Sequence, residues 1–259
     1  MSDRIAVVTG ASSGIGAACV HAFAGAGFHV VGGARRIDRL REVCDPVGAR
    51  ALPLDVTDQA SVDAFVAALD GCAVLVNNAG GALGFAPVEA ADDEQWRTMF
   101  ETNVLGTVRM TRALIPLLEH ADPGHIVNVV STAGLETYPN GAGYTAAKHG
   151  AHAVTRTLRM ELLGRPIRVT EVDPGMVETE FSIVRLGDAD KARRVYEGMV
   201  PMTADDVADA ILWAATRPRR VNIDQVVMRP LDQASSTMVH RRHDQAAVAD
   251  QATAPDRRT

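Results

Sequence analysis

Aromatic residues and cysteine are scarce in this chain: 4% of its 259 residues are Phe, Trp or Tyr, and Cys19, Cys44 and Cys72 are its three thiols. The cysteines are scattered, odd in number and without CxxC spacing. That excludes a disulfide framework and a zinc site, and points to reduced thiols in a reducing, cytoplasmic compartment. No apolar run approaches the roughly 20 residues that cross a bilayer. No opening segment joins a basic start, an apolar stretch and a small-residue cleavage site, so no secretion signal is expected. Positive charge is not in excess either. A formal net charge of −6 argues against a nucleic-acid surface, which needs clustered cations. What is present is 47% hydrophobic content, enough for one large core. No repeat or linker divides the chain, so residues 1–240 are expected to form one domain, with a substrate loop at about 176–202. Residues 241–259, rich in charge and poor in large apolar side chains, are expected to be a flexible tail.

Short β-branched runs alternate with longer helical ones. Strands are expected at 5–9, 29–33, 49–54, 73–76, 126–130, 167–172 and 225–228. Helices are expected at 15–26, 37–43, 61–69, 94–118, 142–163 and 204–215. Strand–helix alternation with continuously apolar strands predicts an α/β fold: a Rossmann-type, doubly wound, mostly parallel sheet of about seven strands, covered by helices on both faces. Ligands of such sheets bind at the carboxyl ends of the strands.

The first strand runs into Thr9, Gly10, Ala11, Ser12, Ser13, Gly14, Ile15 and Gly16, and then into a helix. Glycines there allow tight turning and backbone approach to a pyrophosphate, and the helix N-terminus offers free N–H groups. The spacing G-x-x-x-G-x-G departs from the generic G-x-G-x-x-G, so position between strand and helix carries the dinucleotide reading. An NAD enzyme would place an acid at the end of the second strand to hold the ribose hydroxyl. Here that position is Ala34, followed by Arg35 and Arg36, so NADP(H) is the expected cofactor, with Arg35 the favoured contact for its 2′-phosphate. Arg35, Arg36, Arg39 and Arg41 could instead be a solvated helix start. Asp55, followed by Val56, could hold the adenine amino group or cap a helix, whereas Asp58 is the better cap. Asn77, Asn78, Ala79 and Gly80 close the fourth strand with small or amide side chains, which suits a cofactor floor.

Ser131 ends the fifth strand, and Tyr144 and Lys148 lie one helical turn apart on the next helix, so they share a face. A tyrosine with its usual pKa near 10 is a poor base at neutral pH. A lysine charge beside it, with an oxidised nicotinamide, favours the phenolate. Ser131 can hold the substrate oxygen near the phenol. His149 and His152 sit three apart without a third ligand nearby, so a solvated or interface helix face is expected there and no metal site.

These motifs resemble the short-chain dehydrogenase/reductase family from Arg4 to about Leu231. Thr9, Gly10, Gly14 and Gly16 match its TGxxxGxG, Asn77–Gly80 its NNAG, and Ser131, Tyr144 and Lys148 its Ser…Tyr-x-x-x-Lys set. The resemblance makes Asn103 a fourth catalytic residue, one that holds a water linking lysine to solvent. It gives Pro174, Gly175, Val177 and Thr179 the cradling of the nicotinamide carboxamide. It also implies a homotetramer or homodimer paired through the helices at 94–118 and 142–163; the stretch 231–240 is a candidate to reach a neighbouring subunit. The C-terminal third is similar to the branch acting on serine, allo-threonine and other 3-hydroxy acids. A hydroxy acid needs a cation for its carboxylate, and Arg185 is the candidate, unless it pairs with Asp188 or Asp190. Glu136, Thr137 and Tyr138 are expected to line the same pocket, with packing the alternative for Tyr138. A carbonyl reductase of the same family, or a non-catalytic NADP(H) sensor, are the other readings.

Overall fold

The structure, a computed structural model, describes residues 4–242. Its strands are β1 (Ile5–Thr9), β2 (His29–Ala34), β3 (Arg50–Pro53), β4 (Val74–Asn77), β5 (Gly124–Val129), β6 (Ile167–Pro174) and β7 (Gln225–Met228). All pair in parallel, in the order β3-β2-β1-β4-β5-β6-β7. The chain winds outward one way from β1 and then the other way from β4. Their carboxyl ends therefore diverge into a crevice, the topological switch point at which such sheets bind ligands.

The helices are α1 (Gly14–Gly25), α2 (Ile37–Cys44), α3 (Gln59–Ala67), α4 (Asp93–Phe100), α5 (Gly106–Glu119), α6 (Ala142–Glu161), α7 (Phe181–Leu186), α8 (Ala189–Val195) and α9 (Ala204–Ala215). Alternation along the strands sends neighbours to opposite faces. Val8, Val76 and Val172 join Phe23, Leu40 and Ile211 in one layer, while Val7, Leu75 and Val169 join Phe65, Leu114 and Leu158 in the other. The three cysteines are free and buried, and among the described residues no helix is long and apolar enough to cross a membrane.

Three departures from the sequence reading matter for function. The helix expected at 94–118 is split by a π turn, Glu101–Leu105, that buries Asn103; Asn103 Nδ2 donates to Met99 O at 2.7 Å and to Gly81 O at 2.9 Å. The widened turn aims a polar side chain at the β4 loop, a common use of π bulges. The expected substrate loop contains α7 and α8, the latter capped by the Asp188 carboxylate on the Asp190 and Lys191 N–H groups. The expected tail begins later than residue 241: Arg242 pairs with Asp232, and Arg241 donates to the Val195 and Glu197 carbonyls. Residues 243–259 lie outside the described residues.

Candidate active site

Gly10 and Gly14 adopt φ of +66° and +54°, which side chains resist. A Cβ at Gly10 would lie 2.9 Å from Ala79 Cα, and one at Gly16 would lie 2.4 Å from Gly10 O. The glycine turn is thus pressed against the loop after β4. Thr9 Oγ1 accepts from the Asn78 and Ala79 N–H groups at 3.0 Å each, and Asn78 Nδ2 donates to Thr9 O at 3.0 Å. From this junction a cavity of about 890 Å³ crosses the strand ends to α7 and α8. Every residue expected to hold the cofactor lines it except Gly16, which is buried under the turn.

At the α2 end of the cavity Arg36 reaches back to the glycine turn. Its Nη2 donates to Ser13 Oγ at 2.7 Å and its Nε to Ser12 Oγ at 3.4 Å, while Arg35 lines the cavity and is exposed. Arg36 and Arg39 both pair with Glu180, at 3.1 and 2.6 Å, so this carboxylate ties the start of α7 to the start of α2. Asp55 accepts from Thr57 N–H at 3.0 Å and its hydroxyl at 2.7 Å. Partial burial opposes ionisation of Asp55, yet the Thr57 bonds and nearby Arg35 hold its carboxyl below the usual range. Asp58 caps α3 by accepting from Ala60 N–H at 3.0 Å. Glycine-turn amides, two serines and a guanidinium, with no carboxylate at position 34, fit a dinucleotide carrying a 2′-phosphate.

Across the cavity, Tyr144 and Lys148 come together on α6, nearly buried, with Lys148 Nζ 5.8 Å from the Tyr144 ring centroid. Ser131 Oγ accepts from Ala133 N–H at 3.1 Å and donates to Pro174 O at 3.3 Å. Burial pushes the Tyr144 phenol well above its usual value, Tyr138 adds to this, and the neighbouring Ser131 hydroxyl and the Arg185 charge oppose it. Arg185 thus adds a second phenolate-favouring charge to that of Lys148, to which the sequence pointed. Lys148 Nζ donates to Val129 O at 3.1 Å, and burial brings its ammonium down to about 8 against the pull of Asp173 and Glu171. Asn103 stands behind Gly80: a Cβ there would lie 2.6 Å from Asn103 Oδ1 and 3.6 Å from Lys148 Nζ.

Arg185 does not pair with Asp188 or Asp190, which cap α8 and bind Arg193 respectively. It enters the cavity, where Nη1 donates to Tyr138 Oη at 3.1 Å and Nε to Gly84 O at 3.3 Å. Its Nη2 is buried without a partner among the described residues. Tyr138 lines the cavity as expected, but Glu136 does not. Glu136 instead accepts from Arg229 Nη2 at 2.5 Å and from Ser236 N–H at 2.8 Å, because the chain after β7 returns across it. That returning segment brings Gln233, Ser236 and Thr237 to the cavity wall, and Gln233 Oε1 accepts from Met176 N–H at 2.8 Å. Part of the stretch 231–240 thus packs on its own chain, while Leu231 and Met238 are exposed. Sequence reading missed these residues because no local motif records a contact made some 60 positions away. His149 and His152, expected on a solvated or interface face, are half-buried: His152 Nδ1 meets buried Glu171 at 2.6 Å, and His149 meets the Thr145 carbonyl at 2.8 Å.

The sequence profile of the short chain dehydrogenase family matches residues 4–187. The chain belongs to this family, and it is an oxidoreductase of the kind that acts on CH–OH groups. It is 57% identical over 235 residues to an uncharacterized oxidoreductase of Mycobacterium tuberculosis, covering 90% of this chain and 94% of that one. It is 40% identical over 246 residues to an NADP-dependent 3-hydroxy acid dehydrogenase of Escherichia coli, covering 92% and 99%. Among solved structures, the closed form of a serine dehydrogenase complexed with NADP+ superposes with a TM-score of 0.87 at 40% identity, covering 92% of this chain and 100% of that one.

Proposed function

We propose that this protein is an NADP(H)-dependent dehydrogenase of small 3-hydroxy acids, of the serine, allo-threonine or semialdehyde type. The observation that carries the substrate class is Arg185, a guanidinium inside the cavity whose buried Nη2 has no partner among the described residues. A buried donor left unpaired is costly, and a substrate carboxylate would satisfy it with a charge-assisted hydrogen bond. The relative named for 3-hydroxy acids supports the same reading.

The cofactor is NADP(H), held by the glycine turn and, at the 2′-phosphate, by Arg36 with Ser12, Ser13 and Arg35. The bound nicotinamide supplies the hydride acceptor or donor, and the rest is done by side chains. Ser131 orients the substrate oxygen, and Tyr144 takes or returns its proton. Lys148 binds the ribose and tunes the phenol. Asn103 supports the relay of that proton to solvent. Pro174, Gly175, Val177 and Thr179 seat the carboxamide. We place the protein in the cytoplasm, assembled as a homodimer or homotetramer through α4, α5 and α6, which sedimentation would test. The deciding assay is a panel of 3-hydroxy acids and simple alcohols, each with NADP and with NAD. Activity confined to hydroxy acids with NADP supports the proposal. Turnover indifferent to the carboxylate would make the protein a general carbonyl reductase, and a tenfold NAD preference, about 1.4 kcal/mol, would overturn the cofactor reading.

A further inference from the structure

On the side facing α6, β6 presents Ile167, Val169, Glu171 and Asp173 in alternation. The first two pack with Leu158 and Leu162 in the core. The last two are carboxylates, 1% and 0% exposed, at the end of the strand that lies behind Ser131 and Lys148. Asp173 Oδ1 accepts from Ser131 N–H at 3.3 Å, and its Oδ2 accepts from Gln225 Nε2 at 2.8 Å. Glu171 Oε1 meets His152 Nδ1 at 2.6 Å and Gln225 Nε2 at 3.3 Å. Glu171 Oε2 is buried without a donor among the described residues, and the neighbouring Thr155 hydroxyl donates to Ala151 O at 2.8 Å.

Two adjacent carboxylates in a dry site cannot both stay ionised unless cations or donors compensate them. The cations here fall short of that. Lys148 is bonded to the Val129 carbonyl, Arg159 pairs with Asp224 at 3.2 Å and, like Arg156, acts on Glu171 only through space, and His152 meets a single oxygen of Glu171 and none of Asp173. Asn128 of β5, the register partner of Glu171, uses its Nδ2 on Thr155. An extra proton between the two acids supplies the missing donor. Burial pushes both acids above the usual carboxylate range, and Glu171 pushes Asp173 further.

We propose that Glu171 and Asp173 act as one buried acid holding a single shared proton, and that this pair is a positioning element for Ser131 and Lys148, connected to the surface through His152. With the proton in place the pair carries one negative charge and holds the Ser131 backbone through Asp173. When pH rises, the proton leaves the carboxyl oxygen through the half-buried His152 imidazole to water. The pair then carries two negative charges and favours the charged form of Lys148. The positioning role rests on the parts given above to Ser131 and Lys148; the shared proton does not depend on any substrate.

The test is infrared difference titration of the whole enzyme, together with kcat/KM against pH, in the wild type, Glu171→Gln and Asp173→Asn. The wild type should show the carbonyl stretch of a protonated carboxyl at neutral pH, lost on alkaline titration. In Glu171→Gln that band should be absent, because a lone Asp173 ionises at lower pH, and the matching inflection should vanish from the pH profile. His152→Phe should retain the band but slow its exchange in heavy water at least about tenfold. A wild type without the band, or a band unchanged in Glu171→Gln, overturns the shared proton. A lost band with an unaltered pH profile overturns the positioning role, and unslowed exchange in His152→Phe overturns the path to the surface. If Asp173→Asn does not fold, the wild type and Glu171→Gln decide. Failure of the hydroxy acid reading would leave the band in place.

Discussion

Arg185 lies over Tyr144, its guanidinium carbon 5.6 Å from the ring centroid, so one arginine faces both the phenol and the space beside it. Phe85 and Tyr138 flank the same guanidinium at 4.9 and 5.5 Å. A substrate carboxylate bound to Nη2 would hang its hydroxyl carbon close to the phenol.

Arg185→Met should therefore raise KM for a 3-hydroxy acid by roughly 10- to 100-fold, the equivalent of about 1.5–3 kcal/mol for a charge-assisted hydrogen bond. Turnover of an uncharged alcohol should change far less. Steady-state kinetics on both substrates would check this, and equal losses on the two would remove Arg185 from carboxylate binding.

Tyr144→Phe should reduce kcat by at least about 10²–10⁴, the usual contribution of positioned proton transfer. NADPH affinity, followed by fluorescence titration, should stay close to that of the wild type. Unchanged turnover would sink the assignment.

Arg36→Ala should weaken NADP binding by roughly 10- to 100-fold through loss of a charged phosphate contact, with little effect on NAD. The serine contacts of Arg36 give it priority over Arg35. A larger loss in Arg35→Ala would move the phosphate outward.

Lys148 is buried as an ammonium whose pKa falls to about 8 from 10.5. Its folded value lies below the unfolded one, so between those pH values the unfolded chain binds more protons and stability rises with pH. Below pH 8 the full net penalty, burial less the pull of Asp173 and Glu171, is present, about 3 kcal/mol at 1.4 kcal/mol per pH unit. Lys148→Met should thus melt several degrees higher than the wild type at pH 7 while losing activity, and the gap should narrow as pH rises from 8 to 10.5. Thermal melts at pH 7 and pH 10 would check both points.

Asp232 accepts two hydrogen bonds from Arg242, at 2.5 and 2.6 Å, and one from Val200 N–H at 3.0 Å. The Arg242 bond holds its carboxyl below the usual range, so this pairing contributes at neutral pH and is lost only as pH falls through that depressed value. Asp232→Asn should loosen residues 176–202, seen as faster limited proteolysis there and a higher substrate KM, with NADP affinity little changed.

The sheet and the cofactor turn were legible because their determinants are local. Strand periodicity, φ-positive glycines at 10 and 14, and the four-residue step from Tyr144 to Lys148 all lie within short windows. The π turn at Asn103 was not legible, since it depends on where Gly81 falls after folding. Glu136 was misread for the same reason: its partners Arg229 and Ser236 are about 100 positions away. Glu171 and Asp173 carry no local signal, and only the packing of α6 and β7 around them reveals two buried acids that share the Gln225 amide.

The return of the chain after β7 has a consequence for biosynthesis. A ribosome makes the glycine turn, Tyr144 and Lys148 well before Asp232, Gln233 and Arg242, yet these last residues fasten the segment that bears Arg185. A nascent chain would complete its dinucleotide cradle first and the wall of its substrate chamber last. Messages truncated near codon 231 would then yield protein that still captures cofactor but leaves the wall of the chamber unfastened.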